Sequence, residues 1–418
     1  MQEGTTPSAP SIPNVGKASG GFIAALALAV VGCNVATFTP TLVALPLAIQ
    51  DIDESGKNGN LSMVLFLGVL VAVIANPVFG KLSDRTTSRF GMRRPWILGG
   101  ALFGTLGLLA LSTAHTMPLL IFTWCFTQAV YNALYAAEIA LISDQVPPDQ
   151  QGFVSGILGV AFPMALLIAT GLAALLAFST TFMIIAGAVI GFLPAVVLCV
   201  VLKDRHLDPA DKPGRYTIRS FLSSVWTNPV KHPDFGWAWL SRLLMWMGPN
   251  ALIAFMAYYL SDHLGVAEDQ QARWVFFGIL ASTVALMIVS PLSGRLSDRL
   301  RRRKPFALVA AGVIAVGLIV AALAGSVTHF LIATTIVGIG QGLYAAVDYA
   351  VPVAVLPDPA NAAKDLGVMN IALTLPGSVI PALAPLAFAF GGYPTLFVAG
   401  AALTVIGSLV LRRVRAID

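Results

Sequence analysis

The sequence predicts an all-α membrane protein of twelve transmembrane helices, arranged as two six-helix pseudo-repeats. Three observations lead there. Of 418 residues, 57% are hydrophobic and 11% charged, with a mean hydropathy of +0.82, which is more apolar surface than one water-soluble core can hide. Stretches of roughly 20 apolar residues, the length that crosses a bilayer as a helix, recur twelve times. The second half of the chain also repeats the first.

In order, the spans are expected at 21–44, 61–80, 95–115, 118–142, 152–176 and 180–202, then 236–260, 273–292, 306–325, 330–354, 366–389 and 393–411. Residues 1–20 are rich in Ser, Pro and Gly and lack the basic start and short apolar core of a secretory signal, so a disordered cytoplasmic tail is expected. Residues 203–234 form the one long polar break and separate a 21–202 bundle from a 235–418 bundle. Within that break Ile218, Phe221, Leu222, Val225 and Trp226 follow helical spacing beside Arg215 and Arg219, which predicts a short helix lying on the membrane surface.

The formal net charge of +5 is explained by position. Nearly every Lys and Arg falls in the tails or the even-numbered loops, and the alternate loops hold only Lys57 and Arg273 among Asp51, Asp53, Glu54, Glu268 and Asp269. The positive-inside rule then places both termini in the cytoplasm and makes nucleic acid an unneeded partner. Cys33, Cys125 and Cys199 all lie in spans. Their spacing suggests neither a disulfide framework nor a metal cluster.

The repeat is readable in short matches. NPVFGKLSDR from Asn76 matches SPLSGRLSDR from Ser290 at an offset of 214; ALYAA from Ala133 matches GLYAA from Gly342 at 209; Gly32 and Asn34 map onto Gly248 and Asn250 at 216. Parallel six-helix halves with a ligand site between them near the midplane are a transporter architecture.

Each half also carries a basic knot after its second span. In the first it comprises Gly80, Asp84, Arg85, Arg89, Arg93 and Arg94; in the second, Gly294, Asp298 and Arg299. The glycines are expected to allow close helix approach, and the aspartates to hold neighbouring arginines and face a helix N-terminus of the opposite half. Asp144, at the inner end of the fourth span, is assigned to the same cytoplasmic gate.

Here the residues resemble a family. Gly80-Lys-Leu-Ser-Asp84-Arg85 followed by Arg93-Arg94 resembles the loop 2–3 signature of the major facilitator superfamily. The longer SDRTTSRFGMRRP and the fourth span VYNALYAAEIALISDQVPPDQ are similar to the plant sucrose transporters and the glycoside-pentoside-hexuronide:cation symporters. The resemblance implies the major facilitator fold and cation-coupled sugar uptake. In one respect the chain departs: where sucrose carriers are expected to hold an aspartate and, eleven residues on, an arginine, it has Gln128 and Ile139.

An ionisable group inside a bilayer costs roughly 2.5–3.5 kcal/mol on insertion scales and marks a functional position. Three lie well inside the spans: Glu138, Arg242 and Asp348. Arg242 is expected to pair with Asp348 or Glu138, with protonation of the acid releasing the pair during cycling. Around them run polar and aromatic stripes. Asn34, Thr37 and Thr41 share a face of the first span; Gln128, Tyr131, Asn132 and Tyr135 fall with Glu138 within about 120° of the fourth. Trp246 and Asn250 follow Arg242 on the seventh, while Gln341 and Tyr344 accompany Asp348 and Thr334 on the tenth. Amides, hydroxyls and aromatic faces suit the hydroxyls and C–H faces of a sugar. Asn370, Pro163 and Pro376 are read as shaping bends.

No H-E-x-x-H, G-x-S-x-G or phosphate-loop pattern occurs, so an enzyme is not expected. GIGQG at 338–342, Gly100 with Gly104, and Gly152 with Gly156 are read as small-residue packing pairs. The reading is a monomeric, proton-coupled sugar or glycoside importer of the plasma (inner) membrane. It needs no cofactor or metal, with Na⁺ as the other possible coupling ion. Its rivals are a proton-driven exporter of amphiphilic compounds and a non-transporting membrane receptor on the same fold.

Overall fold

The computed structural model describes residues 17–207, 227–300, 303–348, 350–357 and 362–417. The surface helix expected around Ile218–Trp226 and most of the N-terminal tail lie outside these residues.

Ten helical stretches are each long and apolar enough to cross a bilayer once: α1 (Gly20–Ile52), α2 (Lys57–Ser83), α3 (Arg94–Ser112), α4 (Met117–Gln145), α5 (Phe153–Leu175), α6 (Thr180–Val201), α7 (Pro233–His263), α8 (Glu268–Ser297), α9 (Lys304–Ala322) and α10 (Val327–Ala345). An eleventh, Asp365–Leu411, runs 47 residues, about 70 Å at 1.5 Å per residue and more than twice the hydrocarbon core. It breaks at Gly391–Gly392, where Gly392 takes φ +71°, a left-handed conformation that only glycine adopts cheaply. It is therefore two spans, α11 (365–390) and α12 (393–411), and the expected twelve crossings stand. Several helices outrun their apolar cores. Helix α10 continues to Asp348, and a short turn Ala350–Ala354 follows it.

The duplication reappears as packing. In the first half Gly32 of α1 lies against the Ile190 backbone of α6, and Gly191 faces Ala36. In the second, Gly248 of α7 sits against Gly400 of α12, where an added Cβ would come within 2.9 Å of the Gly400 carbonyl. A side chain at either place would push the backbones apart, and van der Waals contact is what holds helices together in lipid. Gly100 and Gly104 likewise receive Leu134 and Tyr131 of α4, and Gly338, Gly340 and Gly342 pack closely on α8 and α9. Two expectations change: nothing approaches Gly294 or Gly156 within 4 Å, so neither is a close-packing point in this structure. A Cβ added at Gly80 would make only ordinary contact, 3.7 Å from the Ala136 Cβ.

The halves meet along α5 with α8 and along α2 with the α11–α12 stretch, pairs exchanged by the repeat. Helices α1 and α7, also equivalent, each contain a π-helical turn, Pro40–Ala44 and Tyr259–His263, of the kind that collects at functional sites.

Candidate functional site

On α1, Gly32, Ala36 and Thr39 face α6, while Val31, Val35 and Phe38 pack on Ala165 and Ala169 of α5. That leaves the half-buried Asn34, Thr37 and Thr41 on the remaining face. On α4 the structure divides the predicted arc. Gln128, Asn132 and Tyr135 stay half-buried on one side, but Tyr131 is 1% and Glu138 0% exposed. Tyr131 is wedged between Gly104 of α3 and Gly191 of α6, so its expected place on the substrate stripe is corrected: at 300° of helical rotation from Gln128 it turns into the first half. Glu138 turns inward with it. Neither carboxyl oxygen of Glu138 has a hydrogen-bond partner.

The second half holds the ion pair. Arg242 Nε donates to Asp348 Oδ1 at 2.8 Å and Nη2 to Oδ2 at 2.9 Å, and Nη1 reaches the Met369 carbonyl at 3.2 Å. Both residues are buried, the geometry in which a guanidinium and a carboxylate bind most strongly. Of the two partners proposed for Arg242, the structure selects Asp348; Glu138 stays apart in the other half. Trp246 Nε1 lies 3.4 Å from Asp348 Oδ1, and its ring meets Tyr344 edge-on at 6.3 Å. A small crevice of about 10 Å³ beside the pair is lined by Arg242, Asp348, Tyr344 and Met369, among others. Trp246 and Asn250 are half-buried, as is Gln341, whose side-chain oxygen accepts from Ser282 of α8 at 3.3 Å. Thr334 is fully buried.

The basic knot of the first half is organised around Arg93. Its guanidinium binds Asp84 and Asp144 at 2.7 Å each and also donates to Ser83. Burial works against its charge, but the Asp144 and Asp84 carboxylates more than offset this and raise its pKa above the ordinary value. Arg89 stacks on the exposed Phe90 ring, and the Arg94 guanidinium binds the Leu202 carbonyl. Arg85 is half-buried. Asp84 does not reach the opposite half here: its partners are Arg93 and Lys81. In the second knot Arg299 is exposed, and the side chain of Asp298 lies outside the described residues.

One residue of this end had not been anticipated. Asp204, just past α6, accepts from the backbone N–H groups of Arg93 and Arg94 at 2.8 Å each and so caps the start of α3. Gly91, at φ +105°, lets the loop turn against it, and the next residue closes the clasp through a Met92 N–H to Arg205 carbonyl bond of 2.9 Å. The available signal was an acid, Asp204, standing alone in the basic run Lys203–His206.

The opposite end is where the halves are tied. Lys57 of α2 meets Asp262 of α7 at 2.7 Å with its ammonium 5.2 Å from the Tyr258 ring centre. Tyr258 donates to the Pro46 carbonyl of α1 at 2.6 Å. Tyr393, placed by the Gly391–Gly392 break, has its hydroxyl 2.8 Å from Asp262 and 3.0 Å from Asn58. Both partner atoms, Asp262 Oδ2 and Asn58 Oδ1, are acceptors, so the one hydroxyl proton serves one of them at a time. These residues were also missed, although Lys57, a lone cation in its loop, called for an acid.

Twelve spans in two repeats, joined at one end and carrying buried ionisable groups on helices that face between halves, define an integral membrane carrier. Residues 24–285 and 238–417 match the model of the Major Facilitator Superfamily, and the chain belongs to that superfamily. It is a transporter and not an enzyme. A general alpha-glucoside permease of Schizosaccharomyces pombe is 33% identical over 106 residues, 22% of this chain and 19% of that protein. An uncharacterized symporter of Synechocystis sp. is 54% identical over 37 residues, 9% of this chain and 7% of its own length. The chain thus spans less than a fifth of each of these curated relatives. Among solved structures, the peptide transporter POT in complex with sulfate superposes with a TM-score of 0.73 over 96% of this chain and 98% of its own, at 15% identity. That likeness concerns the fold alone.

Proposed function

We propose that this transporter imports a sugar or glycoside together with protons, by alternating access of residues 21–202 against 235–418 around a site near the midplane. The observation that carries the reading is one-sided closure. Among the described residues, the side-chain hydrogen bonds that join the halves gather at the Lys57 end. The Arg93 network at the other end stays within the first half. A carrier caught between strokes has this asymmetry. The basic end is the cytoplasmic one in this reading, by the placement of Lys and Arg in tails and even loops, and the chain acts as a monomer in the plasma membrane. The alpha-glucoside permease and the symporter among its relatives favour sugar and ion coupling.

In this reading Glu138 carries the coupling proton. A carboxylate without partners in an apolar interior costs several kcal/mol, so the acid is held there in its neutral form. Arg242 and Asp348 pair while the Lys57 end is closed and exchange partners as the halves rock.

The test is uptake of labelled mono- and disaccharides into proteoliposomes under an imposed inward proton gradient, with and without a protonophore. One sugar should accumulate and fall back to equilibrium when the gradient collapses. Glu138→Gln should lose accumulation while keeping exchange of that sugar across the membrane. Gradient-driven accumulation that survives in both Glu138→Gln and Asp348→Asn would sink the coupling roles, and proton-driven dye efflux without sugar uptake would favour the exporter.

A further inference from the structure

We infer that the substrate site is weighted toward hydrogen-bond acceptors and selects an uncharged, hydroxyl-rich ligand, excluding uronates, sulfates and phosphates. The inference rests on the sugar reading above and narrows it.

Three amides lie on the stripes of α1, α4 and α7, and each spends a donor on its own helix. Asn34 Nδ2 donates to the Val30 carbonyl at 2.7 Å, Asn132 Nδ2 to Gln128 at 2.9 Å, and Asn250 Nδ2 to Trp246 at 2.9 Å. A backbone carbonyl can only accept, so these bonds fix which way each amide points. What remains on each is one N–H and a whole carbonyl oxygen with two lone pairs. The hydroxyls behave likewise. Thr37 donates to the Asn34 carbonyl at 3.0 Å and Thr41 to Thr37 at 2.6 Å, which leaves only lone pairs to offer.

In the second half the guanidinium and the indole are also committed, and the Gln341 amide, whose oxygen accepts from Ser282, keeps its N–H groups. Arg242 gives two bonds to Asp348 and a third to Met369, and the Trp246 indole N–H faces the same carboxylate. An anionic ligand would have to take Arg242 away from Asp348 and leave a buried carboxylate behind, a costly exchange. A sugar hydroxyl, by contrast, brings the proton that these oxygens lack. The acceptors come from both halves, Asn34 and Asn132 from the first and Asn250 from the second, so a neutral polyol can bridge them.

The experiment is competition against the best neutral sugar, in proteoliposomes holding the full chain. The competitors are its deoxy and deoxyfluoro analogues at each position and the matching uronate. Fluorine accepts weakly and donates nothing. If the protein supplies acceptors, the fluoro analogue should bind as poorly as the deoxy one at the recognised positions, about 2- to 13-fold below the parent, and the uronate at least about tenfold below it. Asp348→Asn, which releases Arg242, should bring the uronate closer to the parent. Fluoro analogues that keep parental affinity while deoxy analogues lose it would overturn the inference, as would a uronate that competes like the parent. If no sugar competes at all, the sugar reading itself has failed.

Discussion

On α10, Asp348 is gripped by two hydrogen bonds from Arg242 of α7; on α4, Glu138 is as deeply buried and has no partner. The repeat makes these positions cousins. At the offset of 209 that aligns α4 with α10, Glu138 falls on Val347, one residue before Asp348; at the offset of 216 that aligns α1 with α7, Arg242 falls on Leu26. Leu26 is fully buried in the first half's core. One half therefore carries an acid with its base and the other an acid alone. The difference separates two arrangements: an acid whose charge is answered by a base, and an equally buried acid with no hydrogen-bond partner.

The sharpest way to break this contrast is to make the second half resemble the first. Arg242→Leu strands Asp348 and should cost about 3–5 kcal/mol of stability, read as a fall in thermal midpoint in detergent. The double variant with Asp348→Leu should recover most of it. A single variant as stable as the parent would mean that the pair is not an ion pair in the membrane.

A smaller contrast concerns the two aspartates that each clasp a pair of backbone N–H groups. Asp204 holds Arg93 and Arg94 in a partly buried setting, whereas Asp234 holds Arg415 and Ala416 at the exposed surface. Asp204→Ala should cost about 1–2 kcal/mol and raise hydrogen exchange across residues 86–96. Asp234→Ala should cost about 0.5 kcal/mol. Equal costs would show that burial does not distinguish the two clasps. Glu138→Gln should cost about 1 kcal/mol, since no ion pair is lost; a penalty as large as that of Arg242→Leu would reveal a charged Glu138 with a partner in the bilayer.

Much of the fold was legible because bilayer thickness and repeat offset are written directly in the chain. The Arg242–Asp348 pair was legible too, since few ionisable residues lie within the spans and each needs an answer. Tyr131 was misplaced for a physical reason: helical projection gives an angle but not the neighbour at that angle, and the glycines at 104 and 191 made room for the ring inside the half. Asp204, Asp262 and Tyr393 escaped because their partners lie 111, 205 and 335 residues away. Local pattern carries no such distance. The Gly391–Gly392 break fell between the expected spans 366–389 and 393–411, but nothing local showed that it sets Tyr393 beside Asp262.

Asp204 follows Arg93 by 111 residues, so during synthesis at roughly 5–20 residues per second the clasp reaches its loop about 6–22 s after the loop is made. Asp144 arrives sooner, 51 residues behind Arg93. Until Asp144 is made the loop lacks both carboxylates, and from then until Asp204 is made it lacks one. Only when α6 is complete does Asp204 close on the loop. The order of the chain thus separates in time the Arg93 guanidinium's bond to Asp144 from the backbone clasp of Asp204.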